Sequence, residues 1–188
     1  MKNAIILHGK PGQQEYYDPV APSPSNAHWL PWLQKQLQIR GFAAHTPEVP
    51  ESWNPQYDLW RTEFERYDIT PETLLVGHSC GGGFLVRWLS EHPDVHADKT
   101  VLVAPSLGLD WEGSDFFEFS IDPKIAERTA GLVIFGSDTD RPAIKEAITT
   151  FRNTINGAQY REFPGYRHFC LNDLGTAEFP ELRDELLK

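Results

Sequence analysis

Short apolar runs alternate with amphipathic segments along this chain, and the alternation predicts strands followed by helices. Five segments with apolar runs predict strands, at residues 3–7, 42–46, 73–76, 101–104 and 132–135, and a segment of mixed polarity at 159–163 is the predicted last strand. Strands that alternate with helices at this spacing favour a parallel sheet covered by helices on both faces. We therefore predict an α/β protein, a three-layer α/β/α sandwich with a parallel sheet of about six strands.

The segments between these runs predict the helices. The helices are expected at residues 26–40, 56–67, 143–155 and 178–187, with one more directly after position 79. In the first of them, Asn26 is the expected N-cap and Gly41 the expected end. No repeat or linker divides the sequence, so we expect residues 1–188 to form a single domain.

Composition and charge exclude several classes of function. The net charge of −10 argues against nucleic acids and anionic membranes as partners. The apolar run near the N-terminus is too short for a signal peptide, and no run has the length of a transmembrane helix. The two cysteines, Cys80 and Cys170, form no disulfide framework and no zinc-binding spacing. We expect a cytoplasmic protein without a metal or other cofactor.

The strand at 73–76 leads directly into Gly77-His78-Ser79-Cys80-Gly81, a Gly-x-Ser-x-Gly sequence. A strand, a sharp turn and a helix in this order push the serine hydroxyl out of the sheet, and the helix N-terminus favours negative charge there. Gly77 and Gly81 are small because a Cβ at either position would collide with the neighbouring strand or helix. A chance match in a loop is the alternative, but the flanking strand and helix favour Ser79 as a nucleophile.

A serine nucleophile needs a base and a group that orients the base. In folds with this turn they follow in the chain order Ser, Asp or Glu, His, each after a strand. Six of the seven histidines lie at position 96 or earlier, so His168 is the predicted base and the other five outside the turn are expected to be surface or structural. Asp138 and Asp140 both follow the strand at 132–135, and the residues alone do not separate them: one orients His168, the other caps a turn or helix.

Four segments of the sequence resemble the α/β-hydrolase superfamily, and within it the small single-domain serine hydrolases of the retinoblastoma-binding-protein type and their bacterial relatives. The segments are residues 6–9, 26–33, 76–79, and 136–140 together with 165–169. The Trp-rich segment 26–33 is the most specific of them. The resemblance implies a reduced α/β-hydrolase fold with strand order 2-1-3-4-5-6. It also favours Asp140 as the triad acid, because the later aspartate of the family's Ser-Asp-x-Asp is catalytic. The chain departs from the family's spacing after Asp140, where Arg141-Pro142-Ala143-Ile144 stands, so Asp138 stays the alternative acid.

The remaining parts of the site follow from the same turn. The backbone N–H groups of Lys10 and Cys80 are expected to form the oxyanion hole, and His78 and Trp111 are candidates for the pocket. The segment 105–122 mixes aromatic and acidic residues, which is typical either of a short lid or of a solvated loop with its aromatics in the core. Cys80 at a helix N-terminus predicts a lowered thiol pKa and raised reactivity; a buried, inert thiol is the alternative.

We therefore expect a serine hydrolase of small esters, with amides as a second substrate class, that works through a Ser-His-Asp triad and an acyl-enzyme. Little room for insertions predicts a small, open pocket, and acidic surroundings disfavour anionic substrates. The alternative is a protein-binding module with vestigial hydrolase activity, suggested by the interaction from which the resembled family takes its name. Either protein is expected to be a monomer or a small homo-oligomer.

Overall fold

The computed structural model describes residues 2–111 and 114–188, in which six strands form one sheet. The strands are β1 Asn3–Leu7, β2 Ala43–His45, β3 Leu74–His78, β4 Thr100–Val103, β5 Leu132–Gly136 and β6 Gln159–Glu162. All neighbours pair in parallel, in the order β2-β1-β3-β4-β5-β6. The predicted fold class and strand order are confirmed. After β1 the chain forms β2 on one side, and then β3 and the later strands on the other side. The strand order therefore reverses between β1 and β3, and α/β proteins bind ligands at the carboxyl ends of the strands at such a switch point.

Helices flank the sheet on both faces. They are α1 Gln13–Tyr17, α2 Leu30–Ile39, α3 Tyr57–Phe64, α4 Cys80–Glu91, α5 Pro142–Thr154, α6 Leu171–Leu174 and α7 Pro180–Leu186, with 3₁₀ turns at Pro24–Asn26 and Ile125–Arg128. Every residue of the central strands β3 and β5 is buried, which requires cover from above and below. None of the described helices is long and apolar enough to cross a membrane.

The helix predicted with Asn26 as its N-cap begins three residues later than expected, with Trp29 at the N-cap position. Asn26 ends a 3₁₀ turn instead, and its side-chain amide donates a 2.9 Å hydrogen bond to the hydroxyl of Ser23. The physical reason is His28, whose φ of 57° lies in the left-handed region, where a right-handed helix cannot continue. Helix α2 starts only beyond it, with Pro31 in its first turn, where the missing N–H costs nothing.

The aromatic residues of the segment 105–122 divide between the core and its margin. Phe116 is fully buried and packs edge-on against Trp60, with ring centroids 5.5 Å apart. Trp111 is only partly buried and lies against Phe117, at 5.3 Å. Phe116 thus belongs to the hydrophobic core, as the loop interpretation expected; Glu112, which the sequence placed in the same segment, lies outside the described residues.

Candidate active site

Ser79 occupies the turn between β3 and α4 and has an unusual backbone conformation. Its φ of 52° and ψ of −114° are strained for a residue with a Cβ, and such strain persists only where the surrounding packing enforces it. A Cβ on Gly81 would lie 2.5 Å from the carbonyl oxygen of His8, and one on Gly77 would lie 2.5 Å from that of Gly81. The two glycines therefore let β1, β3 and α4 approach closely enough to make the turn.

A chain of hydrogen bonds runs from Ser79 to a buried carboxylate. The Oγ atom of Ser79 lies 2.9 Å from Nε2 of His168, and Nδ1 of His168 lies 2.9 Å from Oδ2 and 3.1 Å from Oδ1 of Asp140. An ionised carboxylate only accepts, so the proton of the neutral ring sits on Nδ1 and Nε2 is free to accept the serine hydroxyl. Asp140 is 5% exposed, and its Oδ1 also accepts the backbone N–H of Arg141 at 2.7 Å.

Asp138, the other candidate acid, is exposed and is directed elsewhere. Its Oδ1 accepts the backbone N–H of Gly165 at 2.7 Å, so it ties the loop after β6 to the loop after β5. The geometry thus brings Asp140 to His168 and gives Asp138 a place in the support of the histidine loop.

His168 lies in a loop without regular secondary structure, and its backbone N–H and C=O each form a hydrogen bond with the side chain of another residue. Its N–H donates to Oδ2 of Asp173 at 3.2 Å, and its carbonyl oxygen accepts Nε2–H of His78 at 2.8 Å. The next carbonyl, of Phe169, accepts the indole N–H of Trp29 at 3.1 Å, and Phe169 itself has a φ of 59°. Burial lowers the pKa of His78 well below its usual value, which keeps this donor in its neutral form.

A second buried histidine orients the loop after β1. Nε2 of His8 accepts the backbone N–H of Val49 at 3.1 Å, so Nδ1 carries the proton and donates to the carbonyl oxygen of Gly9 at 2.7 Å. In a planar trans peptide the C=O and the following N–H point in opposite directions, so this contact also fixes the direction of the Lys10 N–H. Neither Lys10 nor Cys80 pairs its N–H with a backbone acceptor among the described residues.

A cavity of about 270 Å³ opens beside Ser79 and His168. His28, His78, Lys10 and Glu15 contribute polar groups to its wall, and Pro11, Pro22 and Pro24 contribute apolar surface. Of the two pocket candidates from the sequence, His78 lines this cavity and Trp111 does not. Trp111 lies in a separate groove of about 410 Å³, which shares Lys10 with the cavity.

Comparisons with known proteins show the family to which the chain belongs. A family model described as serine hydrolase matches residues 22–185 of the chain. The chain belongs to the serine hydrolase family. The sequence of YdeN from Bacillus subtilis (strain 168), named as a hydrolase, is 28% identical over 170 residues, which cover 86% of this chain and 88% of YdeN.

Solved structures extend the comparison to the fold. The crystal structure of the ydeN gene product of B. subtilis has a TM-score of 0.83 at 25% identity and covers 100% of this chain and 97% of its own. Est1E from Butyrivibrio proteoclasticus, solved with ferulic acid bound, has a TM-score of 0.60 at 14% identity and covers 98% of this chain and 89% of its own. The resemblance to α/β-hydrolases read from the sequence is confirmed, and the protein is a hydrolase of the α/β-hydrolase type.

The thiols differ from the prediction. Cys80 is fully buried, and burial raises the pKa of its thiol well above the usual value in spite of the helix N-terminus. Burial and the nearby Asp173 raise the pKa of Cys170 to about 12. The expected low pKa of Cys80 is therefore wrong, and the alternative of a buried, inert thiol describes it. Within residues 2–111 and 114–188, no group of three or more His, Cys, Asp or Glu side chains could hold a metal ion.

Sequence reasoning missed four residues that build the site: His8, His28, Trp29 and Asp173. His8 and His28 were expected to be surface or structural residues, and no role was predicted for Asp173. The sequence carried two signals: His8 directly follows a strand and precedes Gly9, and His28 and Trp29 lie in the Trp-rich segment 26–33. Neither signal identifies the contacts that these residues make. Only the fold reveals that Trp29 donates to Phe169 and that His28 accepts from Leu171. It likewise reveals that Asp173 accepts the N–H of His168.

Proposed function

We propose that the protein is a carboxylesterase that hydrolyses small esters through Ser79, His168 and Asp140. The observation that carries the proposal is the continuous hydrogen-bond chain from the hydroxyl of Ser79 through both ring nitrogens of His168 to the buried carboxylate of Asp140. A serine, a base and an orienting acid in this geometry are the requirements of acyl transfer.

Each group has a defined task in the proposed reaction. Nε2 of His168 takes the proton of Ser79 as Oγ attacks the ester carbonyl carbon, and Asp140 stabilises the imidazolium that forms. The negative oxygen of the tetrahedral intermediate accepts hydrogen bonds from the backbone N–H groups of Lys10 and Cys80. The His168 imidazolium then protonates the departing alcohol, which leaves Ser79 acylated. A water molecule, deprotonated by His168, attacks the acyl-enzyme; the bond to Oγ breaks, His168 returns the proton to Oγ of Ser79, and the acid is released.

The cavity supports small, uncharged substrates. Its volume of about 270 Å³ suits short acyl and alcohol groups. The net charge of −10 disfavours anionic substrates, while the wall itself holds one charged side chain of each sign, Lys10 and Glu15. We also propose a cytoplasmic location, which the two free thiols support.

Hydrolysis of p-nitrophenyl acetate, butyrate and octanoate tests the proposal. The wild-type protein should release p-nitrophenol from the two short esters with a kcat/KM at least about tenfold above that for octanoate, because the cavity is short. The Ser79→Ala variant should lose about 10⁴-fold or more in kcat. The exposed Ser120→Ala variant is the matched control and should equal the wild type. Turnover that survives in Ser79→Ala contradicts the proposal.

A further inference from the structure

His28 combines a strained backbone with a fixed ring tautomer at the edge of the cavity. Its φ of 57° is rare for a bulky residue, and strain of this kind concentrates at ligand sites. The backbone N–H of Leu171 donates to Nδ1 of His28 at 3.2 Å. Because Nδ1 accepts, the neutral ring carries its proton on Nε2.

Among the described residues the ring of His28 makes one hydrogen bond, at Nδ1, so its Nε2–H group has no protein acceptor there. The ring stands edge-on to His78, with centroids 5.7 Å apart, and both rings line the cavity beside Ser79. Burial lowers the pKa of His28; the nearby Glu15 raises it in part, and His168 lowers it further. At neutral pH the ring is thus an uncharged donor at the wall of the cavity.

The position of His168 indicates which part of a substrate meets this donor. In the proposed reaction His168 protonates the departing alcohol, so the alcohol lies beside His168. The ring centroid of His78 lies 5.7 Å from that of His28 and 5.2 Å from that of His168, and all three rings line the same cavity. The alcohol portion of the substrate therefore passes next to Nε2 of His28.

We propose that His28 donates a hydrogen bond from Nε2 to an oxygen atom in the alcohol portion of the substrate. The preferred substrates are then esters of alcohols with a second, uncharged oxygen close to the ester oxygen, the pattern of glycerol-like and sugar-like alcohols. Glu15 in the same wall disfavours an anionic group at this place. The inference rests on the proposed esterase function and makes His28 a determinant of its specificity.

A matched pair of esters isolates this contact. 2-Methoxyethyl acetate and n-butyl acetate have the same acyl group and nearly the same shape, and differ by an oxygen in place of one methylene group of the alcohol. The quantity to measure is the kcat/KM for 2-methoxyethyl acetate divided by that for n-butyl acetate, each obtained from acid release at constant pH. In the wild type this ratio should exceed that in His28→Asn by about five- to tenfold, the effect of one uncharged hydrogen bond. The intrinsic reactivities of the two esters cancel when the ratios are compared.

The choice of variants separates binding from folding. Asparagine tolerates the left-handed conformation, and its Oδ1 can accept the Leu171 N–H, but it cannot reach as far as Nε2. His28→Gly adopts the positive φ without strain, removes both contacts and should lower the ratio to the same extent, which keeps the test valid if the asparagine variant folds poorly. The exposed His96→Asn is the control and should leave the ratio at its wild-type value.

The outcomes distinguish the two proposals. If the wild type hydrolyses both esters and the ratio is the same in the His28 variants, the inference about His28 is overturned and the esterase function stands. If the folded wild type hydrolyses neither these esters nor the p-nitrophenyl esters, the esterase function is contradicted and the inference falls with it.

Discussion

Oδ2 of Asp140 accepts Nδ1–H of His168 at 2.9 Å, and this contact sets the tautomer in which His168 can receive the proton of Ser79. Asp138 lies two residues earlier in the same turn and accepts a backbone N–H of the histidine loop instead. The two aspartates therefore differ in what their replacement should do.

Replacing Asp140 by asparagine should lower kcat for p-nitrophenyl acetate by about 10⁴-fold, because an amide no longer favours the Nδ1–H tautomer or stabilises the imidazolium. Asp138→Asn keeps the acceptor oxygen for Gly165 and should retain kcat within about threefold. Steady-state kinetics and melting temperatures of both variants give the answer. An equal or larger loss in Asp138→Asn would transfer the role of the acid to that residue.

Replacing His8 by leucine should lower kcat by about 10- to 100-fold with KM nearly unchanged. The reason is that the carbonyl of Gly9 loses its donor, the Lys10 N–H loses its fixed direction, and one oxyanion-hole donor is typically worth about 10²-fold or more. His8→Asn can still donate from Nδ2 to Gly9 and should recover most of the rate. A leucine variant that folds and keeps its full kcat would remove His8 from the proposed oxyanion hole.

Stability should fall as the pH drops below about 6.5, the usual pKa of histidine. Burial lowers the pKa of His8 and of His78, so the unfolded chain binds protons that the folded protein does not, and protonation favours unfolding. A histidine that binds a proton only in the unfolded chain lowers the unfolding free energy by at most about 1.4 kcal/mol per pH unit. Urea unfolding between about pH 7.5 and 5.5 should show a shallower pH dependence in His78→Gln than in the wild type, by up to that amount. The same dependence in both proteins would mean that His78 is protonated in the folded state; His96→Gln is the exposed control.

The strands, the turn at Ser79 and the choice of His168 could be predicted because each depends on local pattern or on chain order. Apolar runs of three or four residues identify the strands from β1 to β5, and one histidine alone follows the last strand of the sheet. Asp138 and Asp140 could not be separated in this way, because the sequence of a turn does not determine where each of its side chains points. Only the fold decides which carboxylate faces His168.

The support of the site could not be predicted, because it joins residues that are far apart in the sequence. Trp29 reaches Phe169 across 140 positions, and His8 contacts Val49 across 41. The late start of α2 has the same origin. His28 adopts its left-handed conformation in contact with Leu171, 143 positions away, and a propensity-based N-cap at Asn26 contains no such information.

The cysteines should be unreactive in the folded protein. A thiol pKa of about 12 for Cys170, and one raised well above the usual value for Cys80, leave almost no thiolate at about pH 8, where reactivity depends on the thiolate. Iodoacetamide should modify Cys170 about a thousandfold more slowly than it does in the protein unfolded by guanidinium. Cys80 should also react more slowly than in the unfolded protein, and esterase activity should persist. Rapid alkylation of Cys80 in the native protein, with loss of activity, would show that the thiol is accessible.

The central claim is that Ser79 is a nucleophile activated by His168, and a fluorophosphonate probe tests it most directly because it reacts covalently with activated serines. Intact-mass and peptide analysis should find one probe per folded wild-type molecule, on Ser79. The Ser79→Ala variant should not be labelled, and His168→Ala should be labelled far more slowly. A folded wild-type protein that takes up no probe, or that carries the label on another residue and keeps it in Ser79→Ala, would contradict the account.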